Sequence, residues 1–347
     1  MTGRSRGEII GKASVAPIVQ TCMNAFTQKT IKDSSRRVNP TGFWEDKEIV
    51  YKINHEIYAK LDVLARGFAL IDKERLAGMA MQSVGDLAME VLEKRFESTQ
   101  IWGFKDPKTA RLIPFWQPVF SRLGINENYV IVLRNPLSSA HSHQRLSSAW
   151  GSIETGLLRW LVDLVSAIQE TSGKRRMIVS YEALMENPRG QMERMREFID
   201  IPTAGSADDA DHYINDFLDR DLQRNDFQLD DLRNHPFVQA FPLCLGVYEL
   251  LYRISKDELK FSDTEFVTSW EDIMIQMESN YPLICYMDSM LKALHESHNQ
   301  LKSIKRSNLW KIISPLRKAN DGIRALKRYL KRRGSETVRN DSYTKGK

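Results

Sequence analysis

At 347 residues the chain has room for one large domain or two smaller ones, and 42% hydrophobic and 27% charged residues with a mean hydropathy of −0.42 argue against a disordered, fibrous or membrane-embedded protein. Cys22, Cys244 and Cys285 are an odd, scattered set without a CxxC pair, which argues against a disulfide scaffold or a cysteine zinc site and suits a reducing compartment. The net charge of +5 is a local property, because residues 301–347 carry 15 Lys/Arg against 3 Asp/Glu and leave −7 for residues 1–300, so the pI of 8.9 does not point to a nucleic-acid partner.

No apolar run approaches the ~20 residues of a membrane span, and Met1 to Lys12 holds no apolar core of a signal peptide. Asn39-Pro40-Thr41-Gly42 reads as a turn, and Ile49, Ile53, Ile57, Leu61 and Leu64 then recur on one helix face. A second helical pattern covers about residues 73–97. Ile101 to Lys105 is a short apolar run stopped at Asp106-Pro107, which predicts a buried strand ending in a loop. Leu112 to Leu123 has helical spacing, offset or kinked by Pro114 and Pro118.

Tyr129 to Leu133 (YVIVL) is a continuous apolar run of the kind a strand covered on both faces requires, and it ends at Arg134-Asn135-Pro136. Helices over Leu137 to Trp150 and residues 152–171 lead to a second buried strand, Arg176 to Ser180. Strand, helices and strand at these lengths predict a parallel α/β sheet. Surface helices are expected over 189–200 and 207–223, 237–285 is mixed, and the chain after Cys285 is helical in pattern, with Met287, Met290, Leu291, Leu294 and Leu301 forming a partial stripe. The domain reading is an α/β domain over 1–285 followed by a helical, basic extension over 286–347.

In an open α/β sheet, ligands sit beyond the carboxyl ends of strands, where helix N-termini offer unpaired N–H groups. Arg134, directly after YVIVL, can fork onto an anion, and Ser142, about two turns into the next helix, can donate to the same group. The plainer alternative for Arg134 is a structural ion pair.

The string RNPLSSAHSHQR, from Arg134 to Arg145, resembles the 3′-phosphate-binding segment of the PAPS-dependent sulfotransferases. Three further strings lie in the same order as in bacterial, glycan-modifying members of that family: Asn39 to Glu45 (NPTGFWE), Trp102 to Lys108 (WGFKDPK) and Val179 to Leu184 (VSYEAL). The resemblance covers roughly residues 39–200. Ser307 to Arg317 also resembles a segment at the ends of many proteins of bacterial polysaccharide assembly.

The resemblance implies a P-loop-like three-layer fold, with a central parallel sheet flanked by helices. It also implies transfer of a sulfuryl group from PAPS to a hydroxyl of a carbohydrate, without a metal. Arg134 and Ser142 then hold the 3′-phosphate, Lys105 stabilises the transferring group and Glu45 takes the acceptor proton. Asp46 and Glu48 sit beside Glu45 where first-turn carboxylates complement a helix dipole, and His141 and His143 are alternative bases. A solvated loop position is the plainer alternative for Lys105.

The family's opening strand and its GxxRSGTS loop for the 5′-phosphosulfate have no recognisable counterpart here. The nearest string, Gly3 to Glu8 (GRSRGE), places an acid where an anion would bind. The resemblance therefore leaves a second expectation open, a fragmentary or degenerate non-catalytic binding module in glycan assembly. His295 and His298 are three apart and do not match HExxH, and no GxxxxGK[ST] string occurs. The expected location is cytoplasmic. The basic tail, 301–347, could meet an anionic membrane at its inner face or stay a solvated helix, and the membrane-surface adaptor is the third expectation.

Overall fold

The computed structural model describes residues 45–78, 81–96, 101–146, 151–200 and 227–310. The NPTG turn, residues 1–38 and the surface helix expected over 207–223 lie outside the described residues. The chain divides after Asp288 into two compact units, Met1–Asp288 and Ser289–Lys347.

The first helix opens as π-helical turns over Glu48–Asn54 and continues as α1, His55–Lys60. Ile49, Ile53 and Ile57 share its buried face, as their spacing predicts. The helical pattern over 73–97 is split into α2 (Lys73–Ala77) and α3 (Gln82–Phe96), because Gly78 is extended, with ψ of 162°. A 3₁₀ turn, Pro107–Leu112, runs into α4 (Ile113–Arg122). α4 takes Pro114 in its first turn, and Pro118 inside it removes the bond that its N–H would have made to the Pro114 carbonyl.

β1 (Asn128–Leu133) and β2 (Arg175–Ser180) pair in parallel, in register from Asn128 opposite Arg175 to Leu133 opposite Ser180. The crossover between them is α5 (Pro136–Leu146) and α6 (Ile153–Glu170). Ser152 caps α6 through its hydroxyl, which accepts from the Thr155 N–H. α6 is buried along most of its length, and a Cβ at Gly156 would stand 2.7 Å from the Ala140 Cβ, so only glycine lets α5 and α6 approach this closely.

After β2 come α7 (Tyr181–Glu186) and α8 (Pro188–Ile199). Met192, Met195 and Ile199 of α8 pack with Val130, Met177 and Val179 of the strands. The mixed region resolves into helices: α9 (Leu229–Asn234), α10 (Pro236–Ala240), α11 (Leu243–Ser255), which lies on both strands, and α12 (Thr264–Arg306). Pro282 removes one donor inside α12. Just ahead of it, Ser279 and Asn280 side chains donate to the carbonyls of Ile275 and Gln276.

The architecture is thus mostly helical α/β with a small parallel sheet, two strands among the described residues. One expected strand is corrected. Ile101 to Asp106 pairs with neither strand. Trp102 stacks on Phe96 at 4.1 Å and Phe104 packs on Trp116 at 5.1 Å, so the two side chains that share a face are held by the aromatic cluster of α3 and α4. A cavity stands between this segment and β1.

Candidate functional site

The cavity has a volume of 310 Å³ and runs between the Phe104 to Ala110 stretch, the β1 residues Tyr129 to Val132, and α6. Its walls are mainly aromatic and aliphatic, with Trp116 and Phe120 at one side, and Lys105, Asp106, His143, Arg159 and Asp163 are the titratable groups between them.

The polar groups around Lys105 are set by a buried asparagine. Asn54 is fully buried; its amide donates to Asp106 Oδ2 and Thr109 Oγ1, both at 2.9 Å, and its carbonyl oxygen accepts from Trp116 Nε1 at 3.0 Å. Asp106 Oδ1 accepts from the Lys108 N–H and caps the 3₁₀ turn. This fixes the backbone next to Lys105, whose Nζ meets Glu45 Oε1 at 2.9 Å. Two residues sixty positions apart, assigned the two chemical roles by the resemblance, therefore form one ion pair.

The neighbouring carboxylates are engaged elsewhere. Asp46 Oδ1 accepts from the N–H groups of Glu48 and Ile49, capping the first helix, and both Asp46 and Glu48 pair with Arg95. The second lysine of WGFKDPK is engaged too: Lys108 Nζ donates to His55 Nε2 at 3.0 Å. Desolvation, and then the Lys108 charge, hold the His55 imidazole below its ordinary value, which keeps that nitrogen free to accept.

Arg134 leaves β1 at its carboxyl end. Its carbonyl accepts from Trp160 Nε1 at 3.1 Å, and its guanidinium lies over the Tyr181 ring, 4.5 Å from the centroid. Its Nε is buried and makes no hydrogen bond, and the ion pair offered as the plainer alternative for Arg134 does not occur among the described residues. Ser142 lies half-buried two turns into α5 and is not hydrogen-bonded to Arg134. His141 stacks on Phe227 at 4.6 Å.

His143 is exposed toward the cavity while protein surrounds it on its other sides. Desolvation first, then the charges of Arg159, Arg66, Arg134 and Lys105, push its pKa down to about 4. Lys105 and Arg134 thus act on one point, and a neutral imidazole stands among four cations. Such a setting favours a multiply charged anion.

Several members of this arrangement are given no role by the sequence, although Asn135 and Glu182 lie inside two of the matched strings. Glu182 joins the ends of both strands: Oε1 accepts from the Asn135 N–H and Oε2 from Ser180 Oγ, each at 2.9 Å. Asn135 Oδ1 accepts in turn from the Leu137 N–H and caps α5. Arg66 lies in the segment between α1 and α2, which buried arginines grip by its carbonyls. Arg159 Nε donates to Arg66 at 2.7 Å, and Arg111 donates to Ala69 at 3.0 Å and Ala65 at 2.9 Å. Arg159 and Asp163 had one readable mark, as the only charges between Leu157 and Ile168 on an apolar helix.

Among the described residues no group of His, Cys, Asp and Glu could hold a metal ion, and no helix is long and apolar enough to cross a membrane. A family model described as the sulfotransferase family matches residues 19–205, a span that begins upstream of Asn39 and contains Glu45, Lys105, Arg134 and Ser142. No curated protein matches the chain.

Proposed function

Because the chain belongs to the sulfotransferase family, we propose that it transfers a sulfuryl group from PAPS to a hydroxyl of a carbohydrate, within a P-loop-like three-layer domain over about residues 1–285. The observation that carries this reading is Arg134. A guanidinium at the carboxyl end of a strand, backed by an aromatic ring and with a buried Nε that makes no hydrogen bond among the described residues, is a poor structural element and a good receptor for a phosphate that brings its own acceptor oxygens. In this reading Ser142 Oγ donates to the same 3′-phosphate.

The chemical step is an in-line displacement. The acceptor oxygen bonds to sulfur, the bond from sulfur to the bridging phosphate oxygen breaks, and the hydroxyl proton leaves to a base. The pair of Lys105 and Glu45 supports both charge roles in one contact. An arriving sulfonate competes for the Lys105 ammonium, which then stabilises charge on the bridging oxygen, and Glu45, released from its partner, accepts the proton.

The test is calorimetric titration of the chain with PAP, the product nucleotide, beside Arg134→Ala. A charged hydrogen bond contributes roughly 1.5–3 kcal/mol, so the variant should bind about 10- to 150-fold more weakly. Equal affinity in the two proteins, or no binding by either, would refute the assignment.

A further inference from the structure

Beyond the sulfuryl-transfer reading, the geometry points to a self-association surface on the last turns of α12, with a second copy of this chain as its partner. After Pro282 the helix runs on to Arg306, on the order of 35 Å at 1.5 Å per residue. Along it, Leu283, Met287, Met290 and Leu294 alternate at spacings of four and three, and the same alternation continues through Ser297 to Leu301 and Ile304. That is a heptad seam of three repeats, with Met287, Leu294 and Leu301 at a and Leu283, Met290 and Ile304 at d.

The seam is open. Leu283, Met290, Leu294, Leu301 and Ile304 are 57, 55, 62, 44 and 52% exposed, and Tyr286 beside them is 61% exposed. The opposite side is polar throughout. Every b, c and f position between 289 and 306 is polar or charged, Lys292, Glu296, Lys302 and Arg306 among them.

The width of the seam selects the partner. A helix lying on a lipid surface presents a broad apolar face, commonly with Trp or Phe at the boundary, whereas a narrow a/d stripe, widened here by Tyr286 and Ala293 at g and Leu291 at e, matches another such stripe. No Trp or Phe occurs between 283 and 306. Area agrees. At roughly 150 Å² for a residue of this size, the lower end of what an aromatic side chain buries, these six exposed residues offer on the order of 500 Å² per chain. Two chains then bury about 1,000 Å², the size at which a specific interface begins. Ser297 at one d position is a polar interruption of the kind that fixes register in paired helices.

Light scattering on the full chain during size exclusion, over a concentration series, reads the association directly. The expected mass is twice 40.1 kDa, falling to the single-chain value in Leu294→Asp/Leu301→Asp with the thermal unfolding of the globular part unchanged. Lys302→Glu/Arg306→Glu, on the outer positions, should keep the doubled mass. A single-chain mass for the native protein at every concentration, or an undiminished dimer in the double Asp variant, would overturn the proposal. So would a single-chain protein that co-sediments with phosphatidylglycerol vesicles through the same leucines, since the occupant would then be a membrane.

Discussion

Replacing Arg111 by Met tests whether buried charge organises the segment that carries Arg66. Arg111 is 3% exposed; it pairs through Nε with Asp163 at 3.1 Å and donates to the carbonyls of Ala69, Ala65 and Leu64. Desolvation pushes the Asp163 carboxyl up from 3.8 to about 6 even with Arg111 and Arg159 pulling it down, and a quarter of its side chain still reaches the cavity. Without Arg111 the carboxyl stays protonated through neutral pH.

The magnitude follows from the proton balance at about 1.36 kcal/mol per pKa unit. Because the folded value lies above the unfolded one, the associated penalty is absent in acid and grows as pH rises from 3.8 toward the folded value. In the native protein it reaches about 3 kcal/mol above pH 6, and in the variant about 5 kcal/mol at pH 7.5. The difference, about 2 kcal/mol, vanishes near pH 5, where both proteins hold the proton. Three carbonyls deprived of a donor add about 2–3 kcal/mol at any pH. Urea denaturation should therefore show Arg111→Met less stable by about 4–5 kcal/mol at pH 7.5 and by about 2–3 at pH 5. Asp163→Asn in the same background should remove the pH-dependent part. A loss that is the same at both pH values, or below about 1 kcal/mol, would refute the reasoning.

Two other expectations concern the same region. Asn54→Leu strands Trp116 Nε1 and one Asp106 oxygen, so it should cost about 2–4 kcal/mol in denaturant unfolding; a change under about 1 kcal/mol would mean that water replaces the amide. His143 should titrate near 4 by NMR, and its folded value lies below the unfolded 6.5. Its penalty is absent above pH 6.5, grows as pH falls and is complete below about 4. His143→Asn should accordingly be less sensitive to acid over that window, and a titration midpoint at 6.5 would show that the surrounding cations do not act on the ring.

The parts that could be read in advance are those fixed by local pattern. YVIVL and RMIVS are continuous apolar runs, so two buried parallel strands and the helices between them followed from composition along a few residues. The position of Arg134 followed from the same pattern, while Glu45 and Lys105 owed their roles to resemblance alone. The contact between them spans sixty residues and depends on Asn54, whose partners Asp106, Thr109 and Trp116 lie more than fifty residues further along the chain, and no spacing rule encodes that. Ile101 to Lys105 shows the opposite failure. Ile101, Trp102 and Phe104 are strand-favouring residues, but Trp102 and Phe104 pack in the aromatic cluster instead of on the sheet.

The contact of Gly156 with Ala140 acts on the site from a distance. Both residues stand a turn or less from groups that line the cavity, Ala140 before His143, Gly156 before Arg159. With Cβ room of 2.7 Å, the two helices have one admissible phase, and a single added methyl would turn both sets of side chains together. Replacements at this crossing, whose size sets the aim of the whole wall, would then reshape the cavity as readily as replacements at the wall itself.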